Sequence, residues 1–147
     1  MAKLFVSETG ARVVIASADH CPPHVHAVHK EERWVVRLWF SYGSRAVGAL
    51  SIAPNEGAVR RRQLNAMMAE VGGNLSDCRK LWWDGKRTTC LENKWVARPF
   101  PGAVSVLDEQ GPGAKQVRSA EYDAGTRVTR MTFQDGSEHR IENGDEE

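Results

Sequence analysis

The chain has 147 residues, of which 41% are hydrophobic and 27% are charged, and its formal net charge is +1. This length fits one domain, or one compact domain with a smaller appendage, that buries a core without needing a disulfide or a metal to fold. The sequence has no apolar run approaching the ~20 residues that span a bilayer, so no membrane partner is expected. The net charge gives no general attraction for nucleic acid, although a local basic cluster can still bind it.

The N-terminus and the cysteines indicate the compartment. Met1 to Ser7 lacks the basic region and the long apolar stretch of a secretory signal, so a cytoplasmic location is expected. The three cysteines, Cys21, Cys78 and Cys90, are odd in number and form no Cys-x-x-Cys pair. We therefore expect reduced thiols, and neither a disulfide framework nor a cysteine-based zinc site.

The first third of the chain is rich in β-type runs. Strand candidates cover residues 3–7, 12–17, 24–28, 33–40 and 45–52. The first two runs flank a Thr9-Gly10 turn, as in a hairpin, and the last three are separated by short turns. This pattern predicts an antiparallel β-meander.

A helical stretch follows Pro54-Asn55, with Asn55 as its N-cap. At ~100° per residue, one helix face collects four apolar side chains that should pack on the sheet: Leu64, Met67, Met68 and Val71. A second helical turn through residues 75–82 is expected to stop at Asp84-Gly85. Helices that follow strands, instead of alternating with them, predict an α+β fold with one or two helices packed on the meander.

The C-terminal part shows a change in composition. Residues 88–97 are a further strand candidate, and the stretch after it is rich in proline and glycine. Residues 117–142 contain short β-type runs with turns at Asp123-Ala124-Gly125 and Asp135-Gly136. We predict a histidine-bearing domain at 1–97, a linker at 98–116 and a small β-hairpin module at 117–142. A chain stopped at Gly113 is then expected to fold.

Histidines cluster in one short segment. Four of the five histidines lie within ten residues, namely His20, His24, His26 and His29. If His24 opens a strand, the period of two places His24 and His26 on one face. The Pro22-Pro23 pair fixes two φ angles and should hold Asp19 and His20 in a stiff turn beside those imidazoles.

This segment suits more than one kind of chemistry. Asp19, His20, His24 and His26 are candidate catalytic residues, because imidazoles titrate near neutral pH and a carboxylate fixes their tautomer. Asp19, His24 and His26 equally suit a divalent metal with an open coordination position. The spacing assigns no cofactor, and a purely structural turn whose histidines bond to the backbone is the third alternative.

Basic and aromatic side chains supply candidate binding residues. Arg60 and Arg61 belong to the basic cluster of the first helix, and the helical wheel places Arg60 on its packing face, beside Leu64 and Met67. The fork of a guanidinium suits phosphate, and the alternative is that Arg60 extends past the apolar surface to water while Arg61 lies on a solvated face. Trp82 and Trp83 are adjacent, so both cannot face inward on a helix, and one can stack on a base or anchor a partner. Core packing is the alternative for both. The sequence has no dinucleotide, Walker or serine-hydrolase motif.

Residues 11–83 resemble a small bacterial family, domain of unknown function 4160. The family signature Asp/Glu-His-x-Pro-Pro-His-x-His is matched from Asp19 to His26. Members are often encoded in small operons that resemble toxin–antitoxin pairs, beside domain of unknown function 2442. Residues 117–141 are similar to a short piece of that second family, through Phe133-Gln134-Asp135-Gly136. The resemblance implies a stress or defence setting, while residues 85–115 match neither family.

Three functions follow from these observations. The leading hypothesis is a toxin-like protein acting on RNA or another phosphate-bearing target, with an antitoxin or a host protein as partner. The first rival is a non-enzymatic inhibitor or interaction module, encoded by a host or a phage, in which the histidine turn is structural. The second is a metal-dependent hydrolase. A homodimer is compatible with each.

Overall fold

The computed structural model describes residues 2–16, 19–97 and 105–142. The first sheet contains β1 (Ala2–Val6), β2 (Arg12–Ile15), β3 (His24–His29), β4 (Trp34–Phe40) and β5 (Val47–Ala53). After a short 3-10 helix (Glu56–Ala58) come α1 (Arg61–Gly72) and α2 (Leu75–Lys86). The second sheet contains β6 (Trp95–Ala97), β7 (Ser105–Leu107), β8 (Lys115–Asp123), β9 (Val128–Phe133) and β10 (Glu138–Glu142). The α+β class is thus confirmed.

The first sheet is an antiparallel meander in the order β1-β2-β3-β4-β5, as the turn spacing predicts. Alternation along β3 explains why it lies inside the molecule. Val25 and Ala27 are fully buried and pair with Leu38 and Val36 of β4. These apolar pairs form the core face of the sheet, so the intervening residues of β3 face the other side.

The helices follow the predicted face but not the predicted limits. Met67 and Val71 are fully buried, and Leu64 and Met68 pack against the same core. Pro54-Asn55 opens the 3-10 helix, and α1 begins only at Arg61. At its other end, α2 runs through Gly85 to Lys86, because the chain leaves the helix at Arg87 in the left-handed conformation.

Arg79 fastens α2 to the loop that follows β4. This guanidinium is buried and donates to the carbonyl oxygens of Ser41 at 3.0 Å and Ser44 at 2.9 Å. In return, the Tyr42 hydroxyl donates to the Arg79 carbonyl at 2.5 Å. The buried cation is therefore solvated by backbone carbonyls, which removes much of the penalty for its burial.

The second sheet has the order β10-β9-β8-β6-β7, and its two C-terminal hairpins confirm the predicted turns. The strand predicted at 88–97 is reduced to β6, because residues 87–94 form a loop in which Cys90 and Asn93 take positive φ angles. β6 pairs with β8 and not with the first sheet. The second sheet thus draws strands from both sides of the predicted boundary.

The predicted linker at 98–116 also differs from expectation, since it contains β7 and the start of β8, while residues 98–104 lie outside the described residues. The Tyr42 and Tyr122 rings meet edge to face, with their centroids 5.0 Å apart, so the two sheets share a core. Independent folding of a chain stopped at Gly113 stays a prediction. Among the described residues, no helix is long and apolar enough to cross a membrane.

The cysteines are not all reduced thiols, and this expectation was wrong. Cys21 and Cys90, which are 69 residues apart in sequence, form a disulfide with Cα atoms 5.7 Å apart. Cys78 is free and lies in the core, where burial raises the pKa of its thiol to about 12. The odd number of cysteines and their spacing gave the wrong expectation, because the fold brings the proline turn beside the loop at 87–94. The spacing of cysteines along the chain does not show this contact.

The disulfide should stabilise the chain by restricting its unfolded state, since it closes a long loop. We expect Cys90→Ser to lower the free energy of unfolding by ~2–4 kcal/mol in denaturant titrations without reductant. Reduction of the wild-type chain should produce a similar loss, and reductant should not affect the variant. Three reactive thiols in the unreduced, unfolded wild type, instead of one, would contradict the pairing.

Candidate functional site

β3 brings two histidines together at its beginning. The His24 and His26 ring centroids are 5.2 Å apart, as expected for alternate residues on one face of a strand. Asp19 lies in the turn that precedes β3 and reaches both rings. We call these three residues, Asp19, His24 and His26, the Asp-His cluster. The sequence placed them together, and the structure does the same.

The Asp19 carboxylate is the centre of the cluster. His26 Nε2 lies 3.0 Å from Asp19 Oδ1 and 3.2 Å from Oδ2, and the Ala16 amide donates to Oδ2 at 3.1 Å. His24 Nε2 is 3.5 Å from Asp19 Oδ1. A single carboxylate oxygen is therefore shared between two imidazoles.

The hydrogen bond on the other side of the His24 ring fixes its tautomer. His24 Nδ1 lies 2.8 Å from the Pro22 carbonyl oxygen, which only accepts, so Nδ1 carries the proton. In neutral His24, Nε2 then directs a lone pair toward the cluster. Across the cluster, neutral His26 donates from Nε2 to the carboxylate.

The electrostatics keep Asp19 ionised. Burial acts to raise the pKa of Asp19, but the hydrogen bond from His26, the charges of both imidazoles and the Ala16 amide together bring it below the usual range. The side chains are 6% exposed for His24, 11% for Asp19 and 14% for His26. His26 is therefore the imidazole more open to a substrate.

α2 forms a wall behind the cluster. The Trp82 ring centroid lies 5.6 Å from that of His24, and the ring also packs edge-on against Phe40. Lys86 lies with Nζ 5.4 Å from the Trp82 ring centroid and donates to the Ala16 carbonyl at 2.8 Å. Because Trp82 is fully buried, it presents no open face to a base, and its predicted role in substrate stacking does not fit.

The other predicted residues lie apart from the cluster. Trp83 is half-buried, with the Arg87 guanidinium 5.8 Å from its ring centroid, and lines a separate cavity of about 520 Å³ with Asp123 and Arg140. His20 is exposed in the proline turn and is not among the three groups whose ligand atoms converge. Their roles as candidate site residues stay predictions.

Arg60 and Arg61 lie near the opposite end of β3. Both are exposed, and Arg60 precedes α1 in an extended conformation, so it is not held on the packing face of the helix. The hydrogen bond from the Trp34 indole, followed by weaker effects that include the Arg60 charge, lowers the pKa of Glu32 in the β3–β4 turn. Arg60 therefore lies near Glu32, after the end of β3, whereas the Asp-His cluster lies at the start of that strand.

The sequence analysis missed two residues of β4. Arg37 is the cross-strand partner of His26, and Trp39 is the partner of His24. Arg37 is exposed and Trp39 is half-buried. The sequence contained a signal for both residues. Pairing the two strands outward from the turn at 30–33 places His29 opposite Trp34, and this register also places His26 opposite Arg37 and His24 opposite Trp39.

His29 shows what a structural histidine looks like in this fold. It is buried, its Nε2 donates to the Thr9 carbonyl at 3.1 Å, and its Nδ1 accepts from the Glu32 amide at 3.0 Å. Both ring nitrogens are thus used by the backbone. The structural alternative for the histidine segment holds for His29, but it does not account for the shared carboxylate at Asp19.

We expect His29→Ala to destabilise the chain by ~1–3 kcal/mol, because it removes two hydrogen bonds that the buried ring makes to the backbone, each worth about 0.5–1.5 kcal/mol. Chemical denaturation of the variant and of His139→Ala, which removes a half-buried histidine from β10, measures the difference. An unchanged free energy of unfolding for His29→Ala would show that the two backbone groups find other partners.

Comparison of the chain with protein-family models, with curated proteins and with solved structures found no match. The resemblance to domain of unknown function 4160 therefore rests on the signature from Asp19 to His26. The geometry of the Asp-His cluster is the basis for inferring function.

Proposed function

We propose that the chain is a toxin-like enzyme that cleaves phosphodiester bonds in RNA at the Asp-His cluster. The observation that carries this proposal is the ionised Asp19 carboxylate shared by two imidazoles. A partly buried carboxylate whose pKa is lowered by two specific imidazole partners is a candidate functional site on physical grounds. The resemblance of residues 19–26 to the family signature also supports a toxin-like function.

Cleavage of a phosphodiester has two main requirements. An oxygen nucleophile loses its proton and forms a new bond to phosphorus while the bond to the 5′ oxygen breaks, and the negative phosphate oxygens must be neutralised. We assign the proton transfers to the Asp-His cluster, where His26, the more accessible imidazole, accepts the proton of the nucleophile and returns it to the departing 5′ oxygen. The phosphate oxygens need a cation on the same surface.

Arg37 supplies that cation. As the cross-strand partner of His26 it projects from the same face of the sheet, with Cβ atoms about 4.5–5.5 Å apart. The guanidinium is exposed, and its fork geometry fits two phosphate oxygens at once. Arg37 therefore replaces Arg60 and Arg61 as our preferred phosphate ligand.

Trp39 supports RNA as the phosphate-bearing target. A Cβ atom on Gly48 would lie 2.5 Å from Trp39 Nε1, so the glycine lets the indole lie across β5. The same indole lines a groove of about 750 Å³ beside Pro22 and Leu50. A half-buried ring next to Arg37 suits stacking of a base whose phosphate is bound by the arginine.

The biological setting is part of the proposal. A toxin acting on RNA works in the cytoplasm and is held inactive by an antitoxin, which is the partner that the motif resemblance implies. Disulfides are rare in the cytosol, so the Cys21–Cys90 bond argues against a cytoplasmic location. Alkylation of thiols at the moment of cell lysis, followed by counting the blocked cysteines, tests the redox state there.

A non-enzymatic inhibitor is the second candidate, and a specific observation favours it. Leu50 and Leu107 are 42% and 37% exposed, and both line the groove beside the proline turn. Exposed leucines at a groove are typical of protein-binding surfaces. In that case Leu50→Ser would abolish the biological effect, while replacement of the cluster histidines would leave it intact.

We expect His24→Ala combined with His26→Ala to abolish RNA cleavage and growth arrest without unfolding the chain. Circular dichroism and a thermal transition establish the fold, and gel analysis of a labelled single-stranded RNA measures cleavage. His139→Ala is the matched control, because it removes a histidine of the second sheet. Full cleavage by a folded double variant would reject the cluster as the active site.

We expect Arg37→Ala to weaken RNA binding and to lower the salt dependence of the binding constant, since one phosphate contact contributes ~0.7 to the slope for single strands. Arg118→Ala, at an exposed position of β8, is the matched control and should leave the slope unchanged. If the salt dependence of RNA binding has the same slope in the two variants, Arg37 does not bind phosphate.

A further inference from the structure

We infer that the Asp-His cluster binds one divalent first-row transition metal ion, through His24 Nε2, His26 Nε2 and Asp19 Oδ1. The inference deepens the proposed function by naming the cofactor of the same site, and its catalytic part rests on that function. Metal binding itself is independent of the substrate. The ligand atoms of these three residues lie within 4.8 Å of one another.

The His24 tautomer is the first argument. Because Nδ1–H donates to the Pro22 carbonyl, the Nε2 lone pair of neutral His24 faces Asp19 Oδ1 at 3.5 Å. In this partly buried site the lone pair and the carboxylate oxygen repel each other until a proton or a metal ion binds between them. A metal ion satisfies both atoms at once and displaces the Nε2 proton of His26.

The outer hydrogen bonds are the second argument. Metal-binding histidines usually donate their other ring N–H to a carbonyl or a carboxylate, which orients the ring and raises its basicity. His24 has this arrangement with Pro22. The Ala16 amide likewise holds Asp19 Oδ2 and leaves Oδ1 directed to the imidazoles. Two of the three donor atoms, those of His24 and Asp19, are therefore positioned from outside the cluster.

The distances are the third argument. Zinc–nitrogen bonds of ~2.0–2.1 Å in tetrahedral geometry place neighbouring ligand atoms about 3.3 Å apart. The two Asp19–histidine separations, 3.0 Å and 3.5 Å, lie on either side of that value. All three ligand atoms lie within 4.8 Å of one another, so the two imidazole rings must move closer together to hold the ion.

The donor set selects the class of ion. Two imidazoles and one carboxylate suit zinc and its first-row neighbours, whereas Mg²⁺ and Ca²⁺ prefer ligand sets built from oxygen. Three protein ligands leave a coordination position for water or for a phosphate oxygen. When bound, the ion supplies a Lewis acid that activates water and polarises the phosphate. Arg37 then binds the remaining phosphate charge.

Calorimetric titration of the chelator-treated, full-length chain with Zn²⁺, without reductant so that the disulfide stays closed, tests the inference. We expect one ion per chain, and a loss of affinity of ~10-fold or more in His26→Ala and in Asp19→Asn. His139→Gln is the control and should bind like the wild type. Co²⁺ titration of the same proteins should produce a visible spectrum that changes when a ligand is removed.

No saturable Zn²⁺ or Co²⁺ binding in the micromolar range, or equal binding by the cluster variants and the wild type, would overturn the inference. His26→Ala and Asp19→Asn keep the test decisive if His24→Ala misfolds, because His24 is the most buried member. Metal binding without RNA cleavage would reject the proposed function alone. Full RNA cleavage by the chelator-treated protein would reject a catalytic role for the metal alone.

Discussion

The alternation of β3 is the constraint on which the rest of the molecule depends. Val25 and Ala27 enter the core from one face of this strand, while His24 and His26 form the cluster on the other. Core and candidate site are therefore two sides of the same strand. A register shift of one residue would bury the imidazoles in the core and expose the valine, so the packing that stabilises the sheet also fixes the site.

The turn before β3 is held by contacts from distant parts of the chain. Lys86 of α2 binds the Ala16 carbonyl, and the disulfide joins Cys21 to the loop at 87–94. Within the turn, the Pro22 carbonyl orients His24. The geometry of the Asp-His cluster thus depends on α2 and on the loop that leads into the second sheet, although all three cluster residues lie within eight positions of one another.

Histidines in this chain illustrate how environment, and not residue type, separates structural from reactive roles. His29 uses both ring nitrogens on the backbone, so protonation or metal binding would break an existing bond. His24 uses one nitrogen and directs the other toward a carboxylate. Burial alone does not distinguish them, because both are buried. The contact of His24 Nε2 with a carboxylate, instead of with the backbone, is what makes its position chemically informative.

The sequence by itself determined the features that depend on local periodicity: the meander, the apolar face of α1, the C-terminal hairpins, and the meeting of Asp19 with His24 and His26. A helix or strand repeat is visible within a dozen residues, and so is a stiff proline turn. Only the tertiary structure decided the Cys21–Cys90 bond, the pairing of β6 with β8, and the burial of Trp82. It also separated Arg60 from the cluster and placed Arg37 there. These features depend on which distant segments pack together. Such packing is determined by the complementary shapes of whole surfaces, which a short stretch of sequence does not show.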